Sequence, residues 1–126
     1  MHYSTSLMFY VTDVRTSRNF YVELLDLTPV EDGPGFALFV LPSGLALGLW
    51  ARDAVVPAVG AVGAGSATGE LGFKVASMPA VDELYDRWRT RGTEELLPPT
   101  NLPFGRSFVV LDPDGNRLRG YAVHPD

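Results

Sequence analysis

The stretch FGRSFVVLDPDGNRLRGYAV, residues 104–123, decides the fold. Residues 108–111 form a β-branched and aromatic run, as a half-buried strand requires. Asp112-Pro113-Asp114-Gly115 then reads as a turn: Pro presets φ, Asp bonds its own backbone, and Gly accepts positive φ. From Asn116 to Val123 large residues alternate again, so the stretch is predicted to be a β-hairpin. A weaker copy lies earlier in the chain. Pro42-Ser43-Gly44 stands where Pro113-Asp114-Gly115 does, 71 residues before it, between strands predicted at residues 36–41 and 45–51.

The copy extends beyond the hairpin. A strand is predicted at residues 7–11, followed by Asp13 as the cap of a helix over residues 14–25. Val14, Phe20, Tyr21, Leu24 and Leu25 make its apolar stripe, and Asp26 stands at its C-cap. Residues 70–75 are a second such strand. Ser77 caps a second helix, Pro79 falls in its first turn, Val81, Leu84, Tyr85 and Trp88 are its stripe, and Gly92 is its C-cap. Val11-Thr12-Asp13-Val14 aligns with Val75-Ala76-Ser77-Met78 at an offset of 64. The seven residues between the two offsets fit in the longer loop before Phe104. Short strands at residues 28–31 and 93–97 and a loop at 98–103 complete two βαβββ modules, residues 1–52 and 70–126. The Ala/Gly/Val/Pro stretch 53–69 is read as a linker, either passive or a lid.

Composition narrows the function. The 126 residues suit one domain, and ten basic against fifteen acidic residues leave a net charge of −5. That balance disfavours nucleic acid or an anionic membrane as partner. There is no cysteine, so disulfides, thiolate nucleophiles and Cys-ligated zinc are excluded. No apolar run is long enough to span a bilayer, and the start, MHYSTS, lacks the pattern of a signal peptide. A cytoplasmic protein is expected.

The segments FYVTDVRTSRNFYVELLDL and ELGFKVASMPAVDELYDRW, with the final hairpin and its DPDGN turn, resemble the vicinal oxygen chelate superfamily. That superfamily includes glyoxalase I, bleomycin-resistance proteins and extradiol dioxygenases, and the resemblance covers the chain apart from the linker. It implies an α+β fold in which two tandem βαβββ modules pair curved mixed sheets into a cup, with the helices outside. It also implies dimerisation.

In that superfamily, metal ligands stand on the first and last strand of each module. Seven residues before each helix cap lie Ser6 and Glu70; four residues after each turn Gly lie Gly48 and Arg119. A hydroxyl, a glycine, one carboxylate and a permanent cation do not make a divalent-metal site. The histidines, His2 and His124, lie at the termini, away from these positions. No metal and no cofactor is therefore expected, and the resemblance narrows to a metal-free, bleomycin-resistance-like branch.

Residues two apart on a strand share a face. Ser6, Met8 and Tyr10, Ala46, Gly48 and Trp50, Glu70, Gly72 and Lys74, and Arg117, Arg119 and Tyr121 are predicted to line the cup. If the turn sets a four-residue loop, Phe108 pairs with Arg119 and joins them, as do Ala37 and Phe39 by the repeat. Phe104 lies beside the mouth; Lys74 and Arg117 are read as rim residues. The expected ligand-binding set is thus Ser6, Met8, Tyr10, Phe39, Gly48, Trp50, Glu70, Phe104, Phe108, Arg119 and Tyr121. Such a cup suits an aromatic or anionic small molecule, a sequestered drug or natural product. Glu70 and Arg119 either neutralise each other or act on the ligand. The alternative function is a metal-independent lyase, isomerase or hydrolase, with Glu70 as base and Arg119 as anion clamp.

Overall fold

Asp13 adopts extended backbone and its carboxylate accepts the Arg15 N–H at 3.1 Å, which starts helix α1 (Val14–Leu25) where the sequence places it. The helix stops because Asp26 turns left-handed, φ 54°, and its N–H reaches the Val22 carbonyl. Helix α2 (Met78–Arg89) is built the same way. The Ser77 hydroxyl accepts the Ala80 N–H at 3.3 Å, and Pro79 occupies the first turn, where a missing N–H costs nothing. Its C-cap is Thr90, still right-handed, rather than Gly92; Gly92 (φ 77°) makes the left-handed turn two residues on.

The computed structural model describes residues 5–56 and 70–125 and divides into two units, Met1–Val62 and Gly63–Asp126. The first holds a four-stranded mixed sheet of β1 (Ser6–Val11), β2 (Glu31–Asp32), β3 (Phe36–Val40) and β4 (Ala46–Ala51) in the order β1-β4-β3-β2. The second holds β5 (Glu70–Lys74), β6 (Glu94–Leu102), β7 (Gly105–Leu111) and β8 (Arg117–Val123) in the order β5-β8-β7-β6. In both, the first strand runs parallel to the last and the other pairs are antiparallel. The repeat holds at single-residue resolution. Met8 pairs with Gly48 and Gly72 with Arg119, the same pair moved by the two offsets. Gly44 donates to the Leu41 carbonyl and Leu41 to that of Leu45; Gly115, Asp112 and Asn116 repeat both bonds.

Each sheet buries one face under its own helix. Tyr21 of α1 meets Phe39 at 6.4 Å between ring centroids, and Trp88 of α2 stands edge-on to Phe73 and Phe108 at 5.1 and 5.4 Å. Arg106 on β7 reaches back to α2 in a fork onto both oxygens of Asp82, at 3.0 and 2.9 Å.

Three boundaries differ from the sequence reading. The strand predicted at residues 28–31 shrinks to Glu31–Asp32, because Pro29 has no N–H to give a ladder. The strand predicted at 93–97 instead runs through Pro98 and Pro99 to Leu102. It is an edge strand, and register shifts between Glu95 and Leu97 and between Leu97 and Thr100 absorb the prolines. The segment read as a linker from residue 53 begins as a 3-10 turn, Arg52–Ala54, followed by buried Val55, so the first unit extends past residue 52. Residues 57–69, the rest of that segment, lie outside the described residues.

The largest correction concerns the faces. Leu111 pairs with Arg117, so the hairpin loop has five residues, 112–116, and Phe108 lies opposite Gly120 rather than Arg119. The loop is closed by backbone bonds, Asp112 N–H to the Asn116 carbonyl and Gly115 N–H to the Asp112 carbonyl, and the first hairpin closes the same five-residue loop with Leu41 in place of Asp112. In the second hairpin the Asp112 side chain reinforces it, accepting the backbone N–H of Asp114 and of Asn116 at 2.9 and 2.8 Å and the Asn116 side-chain amide at 2.9 Å. A slip of one residue sends a side chain to the other face of a sheet. Phe108, and by the repeat Ala37 and Phe39, are therefore fully buried beneath the helices rather than lining the open face. Gly120 makes room for the Phe108 ring: a Cβ there would stand 2.2 Å from it.

Candidate functional site

Along β8 the residues alternate. Leu118, Gly120 and Ala122 are buried on the α2 side, and Arg117, Arg119 and Tyr121 point the other way. On β5, Leu71 and Phe73 lie on the α2 side and Glu70, Gly72 and Lys74 on the open one. The parallel register sets Glu70 beside Arg117, Gly72 beside Arg119 and Lys74 beside Tyr121. Arg119 does not point straight out. Its Nε donates to Glu70 Oε2 at 2.7 Å, one terminal nitrogen donates to Glu70 Oε1 at 3.2 Å, and the other donates to Ser107 Oγ at 2.7 Å. Ser107 is fully buried on β7 and its hydroxyl is costly to leave unpaired, so it anchors the guanidinium from below. The Arg119 and Glu70 side chains are 21% and 38% exposed, so the ion pair itself contributes only about 1 kcal/mol or less. It positions the guanidinium more than it stabilises the fold.

Around this fork the open face is hollowed. Glu70, Gly72, Arg119 and Tyr121, with Leu102 at the end of β6 and Phe104 in the turn that follows it, line a shallow depression of about 510 Å³. Gly72 is what lets Tyr121 lean toward β5, since a Cβ there would already be 3.1 Å from its ring. Phe104 stands edge-on to Tyr121, centroids 6.2 Å apart, and its carbonyl is held by the His124 N–H at 3.0 Å. Apolar walls around a few fixed polar groups are what a small-molecule site requires.

The open face of the first unit is chemically different. Ser6, Met8 and Tyr10 run beside Ala46, Gly48 and Trp50, and Phe36 lies across from Trp50. Not one of these is charged. Trp50 stands edge-on to both Tyr10 and Phe36 at 6.4 Å. The space opened by Gly48 is already taken: Met8 Sδ lies 2.2 Å from where its Cβ would be.

Of the residues read from the sequence, Glu70, Phe104, Arg119 and Tyr121 thus meet in one depression. Ser6, Met8, Tyr10, Gly48 and Trp50 share the uncharged face of the other unit. Phe39 and Phe108 belong to neither. Sequence reasoning missed Ser107, Leu102 and Phe36. A five-residue turn would have put Ser107 and Phe36 on the open faces, and Leu102 follows only from a strand that continues through two prolines.

The residues at the four family metal positions do not fit a divalent ion. Glu70 supplies the sole carboxylate among them, and both its oxygens are taken by Arg119; Met8 fills the place beside Gly48. Among the described residues no three His, Cys, Asp or Glu side chains cluster as metal ligands would. Of the histidines, His2 lies outside the described residues and His124 is exposed at the end of the chain. Tyr85 is held above its ordinary value by its hydrogen bond to Glu95 and by partial burial, and Arg106 by its bond to Asp82. Among the described residues no helix is long and apolar enough to cross a membrane.

Comparison with known proteins agrees with this architecture. The family model for the Glyoxalase/Bleomycin resistance protein/Dioxygenase superfamily matches residues 4–119. The phenazine antibiotic resistance protein EhpR of Enterobacter agglomerans is 27% identical over 120 residues, spanning 89% of this chain and 85% of that protein. The solution structure of a protein from Agrobacterium tumefaciens is 40% identical, with a TM-score of 0.84 over 99% of this chain and 100% of its own. A glyoxalase/bleomycin resistance protein/dioxygenase from Nocardioides is 29% identical, with a TM-score of 0.83 over 98% of this chain and 84% of its own.

Proposed function

We propose a metal-independent binding function for this chain, which belongs to the Glyoxalase/Bleomycin resistance protein/Dioxygenase superfamily: it sequesters an aromatic drug or natural product against the depression on its second module. One observation carries the reading. At the family's metal position the Glu70 carboxylate is occupied by the Arg119 guanidinium, while Gly72, Phe104 and Tyr121 keep an aromatic hollow open beside it. The name of the antibiotic-resistance relative supports the same direction. The homodimer implied by the family resemblance belongs to this proposal and is checked by sedimentation of the purified protein.

The test is a thermal-shift and calorimetric titration with phenazines and other planar natural products. A ligand present at a hundred times its Kd stabilises the protein by about 2.7 kcal/mol. Binding should survive chelation and dialysis and fall about tenfold in Phe104→Ala and in Tyr121→Ala, each ring removing about 1–2 kcal/mol of contact. One tightly held divalent ion per chain, required for binding, would overturn the proposal. The enzymatic alternative needs Glu70 as a base, and its engagement by Arg119 on both oxygens weighs against that role. Glu70→Gln separates the two, because only an enzyme would lose turnover while keeping its ligand.

A further inference from the structure

We infer that the molecule this depression accepts is an aromatic anion, a ring carrying a carboxylate or an equivalent single negative charge, held by the donors of Arg119 and drawn in by Lys74 and Arg117. The inference rests on the binding function proposed above and goes past it to the charge of the ligand.

A guanidinium carries five N–H donors. Glu70 takes two of those on Arg119 and Ser107 takes one, which leaves one N–H on each terminal nitrogen with no acceptor among the described residues. The group is held rigid from two sides and still lines the depression. Rigid, paired donors of this kind match the two oxygens of a carboxylate.

Glu70 does not neutralise the surroundings. Lys74 lies two residues along β5 from Gly72, and Arg117 two residues along β8 from Arg119, so the strand periodicity puts all three cations on the open face. Neither Lys74 nor Arg117 makes an ion pair with a described residue, and Glu70 sits directly beside Arg117 in the register. Among the described residues the face's other acid, Glu94, lies across Leu111 at the end of the sheet away from Tyr121 and Phe104; Glu95 turns to the helix side, where it binds Tyr85. Among the described residues of this face, Arg119 in the hollow and Lys74 and Arg117 flanking it therefore outnumber the Glu70 carboxylate there, on a chain whose net charge is −5. Concentrating positive charge at one place on an acidic protein attracts an anion to that place and repels a cation. Between Arg119 and Lys74 the Tyr121 ring leans over Gly72, and Phe104 stands edge-on to it, so ring surface adjoins the guanidinium.

The test compares two probes of the same shape, a phenazine carboxylate and its primary amide, by calorimetry at neutral pH and low salt. The carboxylate is expected to bind at least about tenfold tighter, and raising the salt from about 0.02 M to about 0.5 M should shrink that preference. Lys74→Gln and Arg117→Gln, both exposed and safe for folding, should each cut the preference about two- to threefold while leaving the amide unchanged. Arg119→Gln should erase it. Equal binding of acid and amide by the unaltered protein would overturn the inference and leave the aromatic binding function standing. Binding of neither probe would overturn both. A preference for the acid that survives all three substitutions would place the anion elsewhere, which also refutes it.

Discussion

Replacing Asp112 by alanine should loosen the whole second sheet, although the residue lies in a turn. Its side chain is buried, 4% exposed for the residue, and accepts three hydrogen bonds, two of them from the backbone N–H groups of Asp114 and Asn116. Alanine leaves those two N–H groups and the Asn116 amide without their acceptor. At about 1 kcal/mol for each backbone bond, with some rehydration in a part-buried turn, Asp112→Ala should cost about 2–3 kcal/mol. Asparagine keeps one acceptor oxygen and loses the charge, so Asp112→Asn should cost about half as much. Urea denaturation followed by tryptophan fluorescence, in a Trp50→Phe background so that Trp88 alone reports, reads both values, provided the slope m is unchanged. The turn closes β7 onto β8, so hydrogen exchange at Val109 and Val110 should quicken in Asp112→Ala more than at Val11, in the other unit. A loss below about 0.5 kcal/mol for Asp112→Ala, or equal losses for the two variants, would refute the claim that this side chain reinforces the turn.

Two further outcomes follow from named contacts. Gly48→Ala and Gly120→Ala both place a Cβ 2.2 Å from an existing atom, yet they should differ. At Gly48 that atom is the flexible end of Met8, which can swing away at a cost below about 1 kcal/mol. At Gly120 it is the Phe108 ring, wedged against Tyr85 and Trp88, and the overpacking should cost about 1–3 kcal/mol, a Tm drop of several degrees; equal drops would contradict this. Alkaline titration followed by ultraviolet absorbance should find Tyr85 ionising above the ordinary value and lowered toward it in Glu95→Gln, because the bond to Glu95 favours the protonated phenol and partial burial adds to it. The sign is fixed by that direction: the contribution is complete below the ordinary tyrosine range and is lost as pH rises through the raised value.

Much of this was legible because the chain states it twice. Asp13 and Ser77 could each be a chance polar residue; at one offset, each followed by an apolar stripe, they mark two helix starts. The two offsets also carry the register of β1 on β4 onto that of β5 on β8, although which strands pair shows only in the structure. What was not legible turned on the length of one kind of turn. Nothing in the order of residues says that Leu41 and Asp112 open five-residue loops rather than four-residue ones; Asp112 adds its carboxylate to the turn, and Leu41 makes the same loop without one. A four-residue loop would put Phe108 on the open face; with five it is core. Phe39 carried the same error because the same ruler was applied to it. Arg119 and Glu70 escaped it, since their faces follow from the alternation on their own strands and not from the hairpin loop. Ser107 was hidden by the slip itself.

At the positions that the family resemblance gives to metal ligands, the two modules differ. In the first, the last-strand position is Gly48 and the thioether of Met8 fills the space beside it, on an uncharged aromatic face. In the second, the last-strand position is Arg119 and the first-strand position is Glu70, and the guanidinium holds the carboxylate by both its oxygens. The difference has a chemical consequence. A sulfur packed over a glycine removes the site, whereas a guanidinium keeps a localised positive charge at it, without open coordination positions and with directed N–H donors instead. Returning one ligand, as in Arg119→Glu, would free Glu70 but set two carboxylates side by side, with Gly48 still bare and Met8 still over it. Two carboxylates fall short of the several converging donors that a divalent ion requires. The expected outcome for Arg119→Glu is therefore no stoichiometric divalent ion by metal analysis, together with loss of the anion preference proposed above.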